Sequence, residues 1–293
     1  MAVAFALLAA LCNAVNVTTQ HTASISSPRK AAGWHLLAYL FRSPLWLAGA
    51  AALAGAFIFQ ALALHAGQVS VVQPLLVTEL VFALVLRRAW LRQPIRPVTW
   101  RAAVVTCLSL AVFLATAEPQ GGHPFPDSHA WIAACAATVG GAAALALLGM
   151  RGTPARRAAL LATATAALWA LVATFIKTTT ETLSQYGVAG MLTHWPVYAL
   201  AAGGLAAEVL EQATLHVGPL SVSQPFLVIV DPIVSVALSV WIFGEYFTEN
   251  AVRLPVSIVA FIVMCAAAAV LARTAPATMD SPVPSPPDGP ARA

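Results

Sequence analysis

The chain has 293 residues, 60% of them hydrophobic and only 9% charged, with a mean hydropathy of +0.82. That balance lies far from the globular norm and excludes an ordinary soluble domain. The net charge of +4 needs no nucleic-acid partner, because the basic residues fall in a pattern that membrane topology explains.

Nine apolar segments are predicted to span a membrane, at about 2–21, 44–65, 69–87, 99–117, 130–149, 157–177, 194–217, 220–243 and 253–272. Each is long enough to cross a hydrocarbon core of ~30 Å. The first opens MAVAFALLAALCNAV with no basic stretch ahead of it, so it reads as a span and not as a cleaved signal. The segment joining spans 1 and 2 carries Arg29, Lys30 and Arg42. Within it, Ala31–Arg42 reads as an interfacial helix, with a tenth membrane helix as the alternative. Arg87, Arg88, Arg92, Arg96 and Arg101 follow span 3, and Arg151, Arg156 and Arg157 join spans 5 and 6. Arg273 and Arg292 follow span 9. With the N-terminus outside, 13 of the 15 basic residues are cytoplasmic, leaving Lys177 and Arg253 outside. The expectation is a multi-pass protein of the cell (plasma) membrane with a cytoplasmic C-terminus. Lys177 is expected to snorkel at the end of span 6, and Glu245 and Glu249 to be solvated in a short outer loop. Cys12, Cys107, Cys135 and Cys265 sit on four different spans and read as buried thiols. The Pro/Ser-rich tail 274–293 reads as a disordered cytoplasmic end.

One phrase occurs twice. HAGQVSVVQPLLV (65–77) and HVGPLSVSQPFLV (216–228) are 151 residues apart and agree at eight of thirteen positions. They open spans 3 and 8, which an odd number of crossings separates, so the two helices run in opposite directions. The correspondence extends to Gln60 with Glu211 and Trp90 with Trp241. Spans 1–4 therefore pair with spans 6–9, and span 5 inverts the second set. The predicted fold is an all-α integral membrane protein of nine helices, or ten, built as an inverted repeat of four-helix units. Its parts are a first repeat (1–117), a linking helix (118–150), a second repeat (151–273) and the tail. Such repeats build transporters whose site lies between the halves, at the bilayer midplane.

Polar groups at membrane depth are functional candidates by default. Glu79, Glu208 and Asp231 each lie about ten residues from a span end, near mid-depth at ~1.5 Å per residue. Glu211 lies closer to the cytoplasm. Ser221, Gln224, Asp231 and Ser235 share one stripe of span 8; Glu208, Glu211 and Gln212 share one of span 7. Asn13, Asn16 and Gln20 form a third on span 1, matched in span 6 by Thr174 and Lys177. Ser70 and Gln73 enter from the first copy of the phrase. Glu79 falls about 180° from Ser70 and is expected to face a different neighbour. Gln73 and Gln224 also fit a packing role as amides bonded between helices, and His65 and His216 a capping or interfacial one.

The chain resembles the drug/metabolite transporter superfamily (EamA-like), and within it the NIPA-type magnesium transporters. The resemblance covers most of residues 1–272. It rests on the nine-span plan, on Val72–Pro74 with Ser223–Pro225, and on SVWIFGEYF (Ser239–Phe247). It implies secondary transport by alternating access, with Glu208 and Asp231 as the candidates should magnesium be the cargo. The NIPA-type helix carries an acid in span 2 where this chain reads GAFIFQ (Gly55–Gln60). That difference ranks a small polar or cationic solute ahead of Mg²⁺, with Glu208, Asp231 and Glu79 as proton-coupling candidates. A non-transporting scaffold is the third reading. No P-loop, His-Glu-x-x-His or Gly-x-Ser-x-Gly is present, so neither an enzyme nor a cofactor is expected. The expected partners are the lipid bilayer and a small-molecule or cation substrate, and a homodimer stays open.

Overall fold

The computed structural model describes residues 1–25, 43–90, 94–123, 125–217, 220–247 and 250–274. Ala31–Arg42 and almost all of the tail lie outside the described residues, as do Glu249 and the side chains of Gln20 and His216.

The described chain forms ten helices and one pair of two-residue strands. In order they are α1 (Ala2–Ile25), α2 (Pro44–Ala66), α3 (Val69–Leu76), α4 (Thr78–Trp90) and α5 (Pro97–Ala117). There follow β1 (Gln120–Gly121), α6 (Ser128–Leu148), α7 (Pro154–Thr193), α8 (Pro196–Val217), α9 (Leu220–Phe243), β2 (Glu245–Tyr246) and α10 (Arg253–Thr274). Proline at the first helical position starts α2, α5 and α7, where a missing N–H costs nothing. Ser43 and Thr153 cap two of these helices, accepting from the backbone N–H of Trp46 and Arg156 at 3.4 Å each.

Eight helical segments among the described residues are long and apolar enough to cross a membrane, which makes this an all-α, multi-pass membrane protein. Large apolar side chains such as Leu205, Val209, Ile132 and Ile262 point outward, as they do where lipid is the solvent. The 22-residue helix α8 is long enough but falls short in hydropathy, because Glu208, Glu211 and Gln212 interrupt it. The four cysteines are free thiols, but only Cys265 is buried; Cys12 and Cys135 are partly buried and Cys107 is exposed.

Two expected boundaries moved for identifiable reasons. Span 3 is two helices, α3 and α4, joined at Val77. Pro74 has no N–H to give, and the backbone tightens there, with Val77 donating to the Pro74 carbonyl at 3.3 Å. Pro225 and Pro232, by contrast, lie inside an unbroken α9. Span 6 does not stop at Lys177. The run of threonines that reads as a span end stays helical because Thr178, Thr180 and Thr182 donate their hydroxyls to carbonyls one turn back. The helix breaks only at Gly187, whose φ of 67° and ψ of −175° leave the helical region.

Helix α1 packs along α2 and against α3 and α4; α7 packs along α8 and against α9. Helices α5 and α10 pack on each other, and α6 lies on α7. Helices α1 and α2 pack on each other and both bury small residues, Ala6, Ala9, Ala10 and Ala14 on α1 and Ala56 and Ala63 on α2, which allow close backbone approach. The main core gathers Leu64, Val72, Leu75, Phe113, Trp131, Phe175, Phe243 and Met264. The two copies of the repeated phrase break the chain at corresponding points. Helix α2 ends at Ala66 and α3 starts at Val69; α8 ends at Val217 and α9 starts at Leu220, each 151 residues on.

Candidate functional site

A cavity of about 670 Å³ lies between α1, α2, α3, α4, α7, α8 and α9. Most of the polar residues singled out in the sequence converge on it. Asn13 and Asn16 enter from α1, Gln73 and Glu79 from α3 and α4, and Gln224 and Asp231 from α9. Helix α8 contributes Glu208, Glu211 and Gln212. Apolar walls come from Phe57, Val172 and Ile176, among others. Among the described residues four carboxylates and no lysine, arginine or histidine line it, a lining that favours a cation over an anion. The Oδ1 of Asn16 and the Nε2 of Gln73 are buried without a protein hydrogen-bond partner. Buried amides at a polar cavity are normally satisfied, so these two atoms are available to a bound solute or water.

The four carboxylates form one electrostatic chain, Asp231 to Glu79, Glu79 to Glu211 and Glu211 to Glu208. Asp231 and Glu79 lie within electrostatic range of each other, with Ser235 donating to Asp231 Oδ1 at 3.5 Å and Asn13 hydrogen-bonded to Glu79. Glu211 accepts from the Trp169 indole at 2.7 Å, and Glu208 accepts from Gln212 at 2.8 Å. The expectation that Glu79 faces elsewhere is corrected here. Ser70 and not Glu79 is the residue turned away: Ser70 bonds Glu245 off the wall, and Glu79, on the opposite side of the helix from it, joins the cavity wall. The partner of Asp231 is therefore Glu79 and not Glu208, which is exposed beside Gln212. Ser221 is exposed and does not line the cavity.

Two further expectations are overturned together. Lys177 is buried instead of snorkelling, and Glu245 is 1% exposed instead of solvated. Glu245 Oε1 accepts from Lys177 Nζ at 3.2 Å and from Val69 N at 3.1 Å. Its Oε2 accepts from Ser70 N at 3.2 Å and from the Ser70 hydroxyl at 2.6 Å. One carboxylate thus caps α3 and neutralises Lys177, which also donates to the Gly67 carbonyl at 3.3 Å. The local chain makes this possible. Gly244, at φ 67°, turns the chain out of α9, and β2 pairs antiparallel with β1, Gly121 opposite Glu245. A side chain at Gly121 would meet the Tyr246 ring at 2.5 Å, so only glycine fits. Ser70 and Lys177, both singled out in the sequence, hence belong to a buried cluster beside the cavity and not to its wall. Ile176, on the wall, is adjacent to Lys177 in the chain.

Sequence reasoning missed Trp169, which no polar stripe includes, and the His65–Glu181 contact, at 3.3 Å between Nδ1 and Oε1. Gln60 had a signal, since the repeat aligns it with Glu211, and both line the cavity. Among the described residues no group of three or more His, Cys, Asp or Glu side chains is placed to hold a metal ion.

No protein-family model matches the chain, and no solved structure matches it. It is similar to an uncharacterized protein of Corynebacterium glutamicum, 28% identical over 249 residues that make up 84% of this chain and 86% of that protein.

Proposed function

We propose that the protein is a secondary transporter of the drug/metabolite type, moving a small cationic or polar solute by alternating access. The acid-lined cavity carries this reading: about 670 Å³ suits a small organic molecule, and its charge selects cations. A scaffold has no use for four carboxylates around a void. In this reading α8 is the ninth crossing, its carboxylates facing the cavity. The N-terminus is outside, and the 118–127 and 244–252 loops lie outside with it. Helices α1–α5 and α7–α10 are then inverted repeats, as the shared boundaries at 66/69 and 217/220 support. The cavity, reaching Gln224 near the start of α9, faces the cytoplasm, and the Lys177–Glu245 closure seals the outer end. The membrane is the cell membrane.

Divalent-cation transport is the competing outcome. Hard Mg²⁺ takes oxygen ligands and keeps much of its water, so amides and separated carboxylates could pass it hydrated. Reconstituted vesicles offered small organic amines or Mg²⁺, with and without a pH gradient, separate the two. The expected result is saturable accumulation of an amine. Accumulation of Mg²⁺ alone would replace the leading reading with the divalent one, and movement of neither would contradict both.

A further inference from the structure

The closure around Lys177 has the chemistry of a binding site already filled. Its ammonium is held by a carboxylate oxygen at 3.2 Å, by the Gly67 carbonyl at 3.3 Å and by the face of the Phe243 ring, 4.9 Å from its centroid. Carboxylate, carbonyl and aromatic face are the three groups that recognise a primary ammonium from water. Trp131 meets Phe243 edge-on with centroids 6.1 Å apart, and stacks on Phe175 at 5.3 Å, so the site is walled by rings.

Position gives the site its meaning. Lys177 follows Ile176 of the cavity wall directly, and Ser70, hydrogen-bonded to Glu245, lies one turn before the wall residue Gln73. The pair joins segments remote in sequence: the α2–α3 junction, the middle of α7, and the strand after α9. A cation leaving the cavity at this end must pass Glu245. It cannot do so while Lys177 is bound there.

We infer that Lys177 is a tethered ammonium closing a cation site centred on Glu245, and that opening this end exchanges Lys177 for a free organic ammonium. The inference deepens the transport reading and rests on it. Glu245 has two duties that fix the consequences of substitution. As a charge it holds Lys177; as an acceptor it caps α3. Glutamine at 245 keeps one of the two acceptor oxygens of the cap and loses the charge. Exchanging the two charges should not restore closure, since an ammonium at 245 would face the N–H groups of Val69 and Ser70.

The test uses thiol access and needs no transported solute, so a wrong substrate class leaves it intact. In a variant with the four native cysteines replaced, Ile176→Cys reports on the closure. An impermeant thiol reagent is applied from the face that bears the 118–127 loop. Lys177→Ala should raise the labelling rate at least tenfold, and millimolar ethylammonium, which fits the vacated space, should return it toward the parent rate. In Lys177→Ala, Glu245→Gln the amine should have no effect. Should Lys177→Ala not yield folded protein, Glu245→Gln alone, with one oxygen of the α3 cap kept, should show the same tenfold rise. Parent-like labelling in whichever variant folds overturns the inference. So does ethylammonium protection that survives the loss of the Glu245 charge.

Discussion

Exchanging Asp231 for asparagine should lower uptake of a cationic solute by roughly 10–100-fold at matched expression, the size expected when a charge-assisted contact is lost. Asp231 on α9 and Glu79 on α4 both line the cavity within electrostatic range, each with one polar neighbour, Ser235 and Asn13. Two carboxylates so placed favour either a shared proton or a bound cation. Glu79→Gln should therefore cost about as much as Asp231→Asn. The double variant should lose little more than either single one, because coupled sites are not additive. The residual activity separates the mechanisms. If a proton is exchanged for solute, Asp231→Asn abolishes uptake driven by a pH gradient but leaves part of the solute–solute exchange. If a divalent cation is the cargo, the same change removes Mg²⁺ flux and leaves no pH signature. Wild-type uptake by the double variant would reduce both acids to structural partners.

Glu245→Ala should be the most destabilising single change in the protein, by about 3–5 kcal/mol, with a melting temperature lower by on the order of 10 °C. The alanine leaves Lys177 charged and buried, and it strips the acceptor from two backbone N–H groups and a serine hydroxyl at the head of α3. Glu118→Ala is the control. Its ion pair with Arg253 is half exposed at both ends and is worth little in water. Thermal unfolding in detergent should therefore rank Glu245→Ala far below Glu118→Ala, with Glu245→Gln between them. Equal melting of the two alanine variants would mean that the buried pair contributes no more than the surface one.

Much of this was legible in the sequence because membranes leave the backbone few options. Apolar length fixed seven of the helices to within a few residues, and the repeated phrase marked where α3 and α9 begin. The polar stripes on α1, α8 and α9 found most of the cavity, since a helix shows its faces at a constant period. What failed was whatever depends on chain outside that period. Ser70 faces a loop carboxylate that no stripe contains, which leaves the opposite side with Glu79 on the cavity, and α7 runs helical past Lys177 through threonines bonded to carbonyls one turn back. The role of Glu245 was hidden most deeply. Its partners Ser70 and Lys177 are 175 and 68 residues away, and in the sequence it is simply an acid in a short loop.

The central claim, that one cavity is reached from either face in turn, is tested most directly by a single cysteine at Gln73 in sealed, uniformly oriented vesicles. The thiol there sits on the cavity wall, one turn from the closure. It should react quickly with an impermeant reagent from the face bearing the 149–154 turn and slowly from the face bearing the 118–127 loop. A transported cation should shift that ratio by speeding one rate as it slows the other. Reaction from one face only, under every solute and pH condition, would show a blind pocket and contradict transport.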